Sequence, residues 1–434
     1  MKKVLPIILL SFVLFSFLAK GQDTLTFLQY NLLNYGNFTS YCTSSNNNVA
    51  RKTGYIGIIV HYVKPDIFSV NEMTTDPTYH DYLLNKGLNT DGVTEYVKAS
   101  DTYRNDYQYT MNVLYYNKNK LGEAGHVVAQ TYVRDVDIYK LYYKSPDLNT
   151  GADTTFIYCV VAHLKAGGDY NGSTSNSNKR KIMAKNTMDY IATHDPDENY
   201  LLMGDFNVYT DQEPAFQEFI NYKVSAVRFY DPAEQIGDWH NNYKYRMVQS
   251  QSTHAYSSGC PSSGGLDDRF DFILLSNNVK TGKKKVTYVP KSFHVVGQDG
   301  KHYNKGLLDD PQNTTVPSNV LNALYYNSDH LPVTLKVTVN QTTAVPQHHS
   351  NVDELKFSNP VNGVLRFTVQ VSRPETLQVD VFSLVGKKVT QKRFSLPGGV
   401  SRQTMNLNAL PKGLYIIRFT ERNGMSFSRK LLKY

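Results

Sequence analysis

The chain has 434 residues, of which 41% are hydrophobic, and it carries a net charge of +8 with only three Cys. A chain of this length can stabilise itself by burying a core, so it does not depend on disulfides, and no Cys/His spacing fits a structural zinc site. The charge is uneven: residues 351–434 carry +9, residues 1–21 carry +3, and the remainder carries −4. The positive total therefore gives no evidence that the central region binds nucleic acid.

The first residues predict an export signal. Lys2 and Lys3 precede an apolar run over residues 4–18, and Ala19-Lys20-Gly21 offers a small-x-small cleavage site. These features predict a signal peptide over residues 1–21 rather than a transmembrane helix, which needs about 20 apolar residues. No later segment is long and apolar enough to span a bilayer, so we expect a soluble mature protein.

Apolar residues recur at helical spacing in three segments between the predicted strands. Helices are predicted over residues 49–63, 179–192 and 212–220. The first of them ends before Pro65, which cannot continue a helix. Long polar loops are expected over residues 164–178 and 231–266.

Six apolar, strand-like segments lead into or out of polar side chains. These side chains are Asn31, the pair Asn71-Glu72, His163, Asp205 with Asn207, Asp271, and the pair Asp329-His330. Each set alone is a weak signal, but six strand ends of this kind predict one convergent site. Carboxylate, amide and imidazole groups held at strand edges suit divalent-metal binding and proton transfer.

In this order the six motifs resemble those of the endonuclease/exonuclease/phosphatase superfamily, which includes deoxyribonucleases, abasic-site endonucleases, sphingomyelinases and inositol polyphosphate phosphatases. The resemblance covers about residues 23–340. It implies an α/β (α+β) four-layer sandwich, in which two packed mixed β-sheets are flanked by helices. It also assigns residues 22–340 to the catalytic domain.

The resemblance implies a metal centre. Glu72 matches the metal-binding Glu of the family, and Asn31 and Asp329 are expected to complete the ligand set. Hard oxygen ligands favour Mg²⁺ or Mn²⁺. Ca²⁺ is a candidate structural ion.

The remaining motif residues are assigned to catalysis of an in-line attack by water. His330 is expected to take the proton of the water, with Asp271 orienting its imidazole. Asp205 is an alternative base, and the sequence leaves that choice open. Asn207 and His163 are expected to donate hydrogen bonds to phosphoryl oxygens, and His163 also to protonate the leaving group.

Two positions depart from the family pattern. Asn71 stands where a Gln commonly precedes the Glu, and no Arg follows Glu72 closely. The phosphate-binding Arg and Tyr of the nuclease branches have no clear counterpart in the sequence. These departures affect the identification of the substrate more than that of the chemistry.

The sequence therefore predicts an exported, divalent-metal-dependent phosphoesterase. The first hypothesis is a monomeric nuclease that hydrolyses phosphodiester bonds of extracellular DNA or RNA. The second is a phosphatase or sphingomyelinase-like phosphodiesterase, which the lack of an apolar membrane-docking insertion disfavours. A non-catalytic surface binding protein is a remote third hypothesis, since all six motifs are intact.

The three Cys have different predicted environments. Cys159 lies in a strand-like segment and is expected to be a small buried apolar residue. Cys42 and Cys260 lie in loops rich in Ser, Thr, Gly and Asn, and they are a candidate disulfide pair.

The C-terminal stretch has a different character. After a polar linker at residues 341–352, residues 353–434 alternate apolar and polar positions in short blocks, which predicts a small all-β sandwich. It resembles the C-terminal sorting domain of type IX secretion substrates, through Asn359-Pro360, residues 381–389, residues 410–415 and the basic ending Arg429-Lys430. This implies that the secretion machinery is a partner and that the protein is secreted or lies at the cell surface. The alternative is a carbohydrate-binding or adhesive module.

Overall fold

The computed structural model describes residues 22–434 except 101–108, 147, 149–152, 170–174, 257–258, 341–350, 385 and 423–425. The predicted signal peptide and most of the predicted linker lie outside the described residues. The chain divides into two compact units, Met1–Thr343 and Ala344–Tyr434.

The first unit mixes strands and helices. Its strands are β1 (Gln22–Tyr35), β2 (Ile67–Thr74), β3 (Tyr96–Lys98), β4 (Thr110–Asn117), β5 (Leu121–Gln130), β6 (Val136–Tyr143), β7 (Phe156–His163), β8 (Tyr200–Asp205), β9 (Phe229–Tyr230), β10 (Asp271–Ser276), β11 (Val286–Tyr288), β12 (His294–Val295) and β13 (Val333–Asn340). Its α-helices are α1 (Val49–Val63), α2 (Pro77–Leu83), α3 (Ser175–His194), α4 (Pro214–Ile220), α5 (Asn277–Thr281) and α6 (Ser318–Asn327). Short 3-10 or π-helical turns occupy Leu84–Leu88, Ser225–Val227 and Tyr243–Tyr245.

These strands form two mixed sheets. Sheet 1 has the order β11-β13-β1-β2-β4-β3, with β12 also paired to β13, and sheet 2 has the order β5-β6-β7-β8-β10-β9. In each sheet one central pair is parallel, β1 with β2 and β7 with β8, and the described neighbours around it are antiparallel. The carboxyl ends of each parallel pair therefore lie at one edge of their sheet.

The two sheets pack face to face with helices outside. Along β7, Cys159 and Val161 belong to the core between the sheets, while Val160 and Ala162 belong to the core beneath α3 and α4. This alternation follows from the two-residue period of a strand. Because α1 and α6 bury apolar residues against the other face of sheet 1, the predicted four-layer sandwich is confirmed.

The predicted helices lie close to the observed ones. α1 has the predicted bounds, because the Asn48 side chain caps Arg51 N at 3.0 Å and Lys64 turns to φ 54° before Pro65. α4 begins two residues later than predicted, with Pro214 in its first turn. α3 begins at Ser175, so the predicted loop over residues 164–178 extends too far.

The cysteines behave as predicted. Cys42 and Cys260 form a disulfide. Cys159 is fully buried, and burial raises the pKa of its thiol. Among the described residues, no helix combines the length and the apolarity needed to cross a membrane.

The second unit is all-β. Its strands are β14 (Val352–Phe357), β15 (Val364–Val371), β16 (Glu375–Ser383), β17 (Lys388–Leu396), β18 (Gly399–Asn406), β19 (Gly413–Thr420) and β20 (Ser426–Lys433). They form a three-stranded sheet, β14-β15-β18, and a four-stranded sheet, β17-β16-β19-β20. Both sheets contribute side chains to one apolar core, so the predicted small sandwich is confirmed.

Candidate active site

The predicted site residues come from both sheets of the first unit. Sheet 1 contributes Asn31 on β1, Glu72 on β2, and Asp329 and His330 just before β13, while sheet 2 contributes His163 on β7, Asp205 on β8, Asp271 on β10, and Asn207 just after β8. On sheet 2 the pairing register places Asp205 directly beside His163 on one side and Asp271 on the other. Three polar side chains are thereby lined up across three adjacent strands.

At the centre, one amide group contacts two carboxylates. Asn31 Nδ2 donates to Glu72 Oε1 and to Asp205 Oδ2, each at 3.0 Å. His163 Nε2 lies 3.8 Å from the same Glu72 oxygen and 3.5 Å from the same Asp205 oxygen. Ligand atoms of Glu72, His163 and Asp205 thus lie within 4.8 Å of one another, a spacing that could hold a metal ion.

The backbone around Glu72 is bulged, which the sequence did not predict. The register of β2 shifts between Val70 and Met73, and Glu72 adopts φ 60°, which is rare for a residue with a side chain. Asn34 N donates to Glu72 Oε2 at 2.9 Å and so fixes the turned carboxylate. Glu72 and Asn31 therefore lie inside their strands, and the expectation that each ends a strand is wrong.

Asp329 is held at one oxygen only. Ser262 N donates to Asp329 Oδ2 at 2.8 Å. Its Oδ1 is buried and has no hydrogen-bond partner among the described residues. A buried carboxylate oxygen without a donor is costly, so an atom or ion that satisfies it would bind favourably.

His330 and Asp271 form a buried pair. His330 Nδ1 lies 2.7 Å from Asp271 Oδ2, which also accepts from Ser250 Oγ at 2.7 Å. His330 Nε2 lies 3.8 Å from Asp205 Oδ2. Burial alone would lower the pKa of His330, but the charges of Asp271 and Asp205 raise it well above its usual value.

Gln251 also contacts the imidazole, and sequence reasoning missed it. Its Nε2 lies 2.7 Å from His330 Nε2. An amide nitrogen can only donate, so this orientation requires a neutral ring, whereas a half turn of the carboxamide presents an oxygen to a protonated ring. The raised pKa of His330 favours the second orientation. No strand-end motif marks Gln251, because it lies in a long irregular loop.

Asp205 and Asn207 support each other. Burial raises the pKa of Asp205, and the negative charge of Asp271 adds to the rise. Asp205 Oδ1 accepts from Asn207 N at 3.0 Å, and Asn207 Nδ2 donates to Leu164 O at 3.3 Å. Asn207 has φ 51°, a conformation that Asn tolerates better than most residues.

Positive charge flanks the site next to His163. Arg134 Nη1 donates to Leu164 O at 2.6 Å, and its guanidinium interacts electrostatically with Glu72 and Asp205. Burial and the charge of Arg134 hold the pKa of His163 well below its usual value, so its ring is neutral. His163 Nε2 has no hydrogen-bond partner among the described residues.

The position of Arg134 has a signal that sequence reasoning did not use. β6 runs antiparallel to β7, with Val136 opposite Ala162. The residues that precede β6 therefore lie beside the end of β7, where His163 stands. Arg134 precedes β6, so it could have been recognised from the sequence as a candidate for the site that His163 of β7 belongs to.

Comparisons with known proteins agree with this geometry. The sequence model of the Endonuclease/Exonuclease/phosphatase family matches residues 28–299, and that of the secretion system C-terminal sorting domain matches residues 357–434. Among curated proteins, no sequence matches the chain.

Several solved structures are similar to the chain at low identity. An endonuclease/exonuclease/phosphatase from Beutenbergia cavernae DSM 12333 is 14% identical, with 94% of this chain and 99% of that chain covered and a TM-score of 0.41. A humanized D. rerio TDP2 is 17% identical, with coverages of 72% and 98% and a TM-score of 0.42. Beta toxin from Staphylococcus aureus is 15% identical, with coverages of 72% and 99% and a TM-score of 0.39.

The family match covers more than half of the chain, and it includes every strand that carries the central carboxylates. The second match indicates export by type IX secretion to the medium or the cell surface. The chain therefore belongs to the endonuclease/exonuclease/phosphatase family, and residues 357–434 are a secretion system C-terminal sorting domain.

Proposed function

We propose that the protein is an exported, divalent-metal-dependent phosphodiesterase that hydrolyses extracellular DNA or RNA. The observation that carries this proposal is the buried His330–Asp271 pair, whose His330 Nε2 lies 3.8 Å from Asp205 Oδ2. Asp205 belongs with Glu72 and His163 to the group that we call the carboxylate centre. The His330–Asp271 pair can move a proton, and the carboxylate centre can hold a cation. Hydrolysis of a phosphodiester by water needs both.

The donor set suits a hard cation. In Glu72 and Asp329 a backbone N–H holds one carboxylate oxygen, which leaves Glu72 Oε1 and Asp329 Oδ1 as candidate ligands, and oxygen donors are the ligands that Mg²⁺ and Mn²⁺ prefer. Asn31 would join as a ligand only by giving up the hydrogen bond that its Oδ1 accepts from Leu33 N at 2.9 Å. When bound, the ion supplies positive charge for the phosphoryl oxygens of the transition state.

His330 takes the proton of the attacking water. Its Nδ1 is held by Asp271, so its Nε2 is the atom that faces Asp205 and the reacting groups. A cation bound at Glu72 would oppose the proton on His330 and lower its raised pKa, so that the ring could act as the base. Asp205 orients the water, and its raised pKa makes it the alternative acceptor.

The side of the site formed by His163, Arg134 and Asn207 binds the phosphoryl group. His163 is neutral, so one ring nitrogen can donate to a phosphoryl oxygen or to the leaving group without the cost of an extra buried charge. Arg134 supplies the positive charge on this side. Asn207 has two amide hydrogens, of which Leu164 O accepts one.

Exposed aromatic side chains on the surrounding loops favour a polynucleotide as the substrate. Tyr256 is 92% exposed and lies in the loop that carries Gln251, and Tyr109 is 78% exposed and precedes β4, whose first residues pair with the end of β2. Tyr41 is 63% exposed and precedes Cys42. Stacking of bases on such rings contributes about 1–3 kcal/mol per base and depends little on sequence.

The test is a parallel assay of the purified chain with Mg²⁺ on plasmid DNA, RNA, sphingomyelin and inositol phosphates. We expect cleavage of DNA or RNA that EDTA abolishes and Mg²⁺ or Mn²⁺ restores. His330→Ala, checked for folding by circular dichroism, controls for contaminating nucleases. Turnover of sphingomyelin or inositol phosphates alone would replace the nuclease with the second hypothesis, and no turnover of any substrate would leave a binding protein.

A further inference from the structure

Two carboxylates of the site accept hydrogen bonds from backbone N–H groups at the end of β1 and in the loop before β10. Glu72 Oε2 accepts from Asn34 N at 2.9 Å, and Asp329 Oδ2 accepts from Ser262 N at 2.8 Å. The second oxygen of Glu72, Oε1, accepts from Asn31 Nδ2 at 3.0 Å, and the second oxygen of Asp329, Oδ1, is buried without a partner among the described residues. The orientation of each carboxylate therefore depends on where its backbone donor lies.

A disulfide joins the loop after β1 to the loop before β10, near the backbone donors Asn34 N and Ser262 N. Cys42 is bonded to Cys260, and Asn34 Nδ2 contacts Cys42 Sγ at 3.6 Å. Cys260 precedes Ser262 by two residues. Leu33 packs against both sulfur-bearing side chains in a small buried cluster of its own. Cys260 is thus two residues from one backbone donor, and Cys42, eight residues from Asn34 in the sequence, contacts the side chain of the other.

Regular structure is sparse in both loops, although isolated bridges tie Gln251 of the second loop to Asp268 and His330. The first runs from the end of β1 to the start of α1, and the second runs from Tyr245 to β10 with no helix or longer strand among its described residues. Irregular loops open at lower free energy than core strands, because fewer buried contacts and hydrogen bonds hold them. The disulfide spans 218 residues of sequence, so it fixes two loops that chain connectivity leaves independent.

We propose that the Cys42–Cys260 disulfide is a positioning element of the active site, which holds Asn34 N and Ser262 N so that Glu72 Oε1 and Asp329 Oδ1 can bind one cation. The inference rests on the proposed function, since it concerns the same metal-binding carboxylates. Groups that orient metal ligands typically change metal affinity about 10-fold to 100-fold when removed. Because disulfides persist in oxidising compartments, this arrangement is completed only outside the cytoplasm.

The competing explanation is that the disulfide only stabilises the fold. Both explanations predict a lower melting temperature when the bond is removed. They differ in the metal affinity of the folded protein, which a purely stabilising bond leaves unchanged.

The experiment compares the full chain with its Cys42→Ser/Cys260→Ser variant. Mn²⁺ binding is titrated by electron paramagnetic resonance without substrate, below the melting temperature of both proteins. We expect a Kd for Mn²⁺ at least about 10-fold higher in the variant. Hydrogen exchange should rise in the segments that contain Asn34 and Ser262.

Cys159→Ala is the matched control, because it removes a buried sulfur from strand β7, which belongs to neither loop. It should lower the melting temperature and leave the Kd for Mn²⁺ unchanged. If the Ser variant does not fold, Cys42→Ala/Cys260→Val refills the apolar space beside Leu33 and is measured in the same way.

Equal Mn²⁺ affinity in the folded variant and the full chain would overturn the inference, whatever the change in stability. The proposed function fails by a different result, because hydrolysis is assayed separately. Mn²⁺ binding that weakens in the variant, in a protein that hydrolyses none of the four substrates, would support the positioning role and refute the phosphodiesterase.

Discussion

Asp271→Asn tests the central pair with a minimal change of shape. The substitution removes the charge that lies 2.7 Å from His330 Nδ1, while both side chains stay buried. A hydrogen bond to a charged group contributes about 1.5–3 kcal/mol, and its loss together with the charge of Asp271 lowers the pKa of His330. The ring also loses the partner that fixes its tautomer, so we expect kcat to fall by about 10²-fold to 10⁴-fold.

Stability gives a second measure of the same pair. The pKa of His330 is raised in the folded state. Protonation of His330 therefore stabilises the folded protein fully below the usual pKa of 6.5, and this stabilisation is lost as the pH rises through the pKa of the folded state. In metal-free protein, urea unfolding should show a free energy of unfolding that is about 1.5–3 kcal/mol lower for Asp271→Asn near pH 6. The loss should be smaller at alkaline pH.

Asp299→Asn is the matched control for this prediction. Asp299 Oδ1 lies 2.8 Å from Nδ1 of His302, which is also buried, and neither residue belongs to the six motifs. The control should change kcat little. A folded Asp271→Asn protein with a near-wild-type kcat, or with a stability loss that is the same at both pH values, would refute the assignment.

Three further predictions concern Arg134, the exposed Tyr256 and the second unit. Arg134→Gln should lower kcat/KM on bis(4-nitrophenyl) phosphate by at least about 10-fold, because a hydrogen-bonded charge contributes about 1.5–3 kcal/mol. Arg134→Lys should recover part of this loss, and an unchanged kcat/KM in Arg134→Gln would exclude Arg134 from the phosphate site. Tyr256→Ala should raise KM for single-stranded DNA about 5-fold or more and leave hydrolysis of the small ester unchanged, and equal effects on both substrates would exclude stacking. The chain 22–345 should keep kcat and remain in the periplasm of the native host, since residues 357–434 match the sorting domain and contain none of the site residues; its normal appearance outside the cell would rule out the sorting role.

Elements with strong local signals could be predicted from the sequence. α1 matches its predicted bounds because an Asn cap and a following Pro define both ends. β7 and β8 lead into His163 and Asp205 as predicted, because apolar runs of this length end at polar groups. The bulge at Glu72 was not predictable, since nothing local in residues 70–73 demands a positive φ.

The site was predictable as a set of residues but not as a geometry. Asn31 and Asp205 are 174 positions apart, and their 3.0 Å contact exists only because two sheets pack face to face. Arg134 and Gln251 were missed for the same reason: each reaches the site through the partner strand or loop beside it and not through a motif of its own.

The sequence by itself determined which chemical groups this protein has, the approximate positions of the strands that carry them and of three helices, and that a second β module follows the catalytic unit. Local patterns carry this information, because strand and helix periods and capping residues act over a few positions. Tertiary structure alone decided which oxygen of Glu72 and of Asp329 a backbone N–H holds, how far His330 lies from Asp205, and which loops the Cys42–Cys260 bond holds together. Those distances depend on how two sheets and two long loops pack, and packing is a property of the whole folded chain.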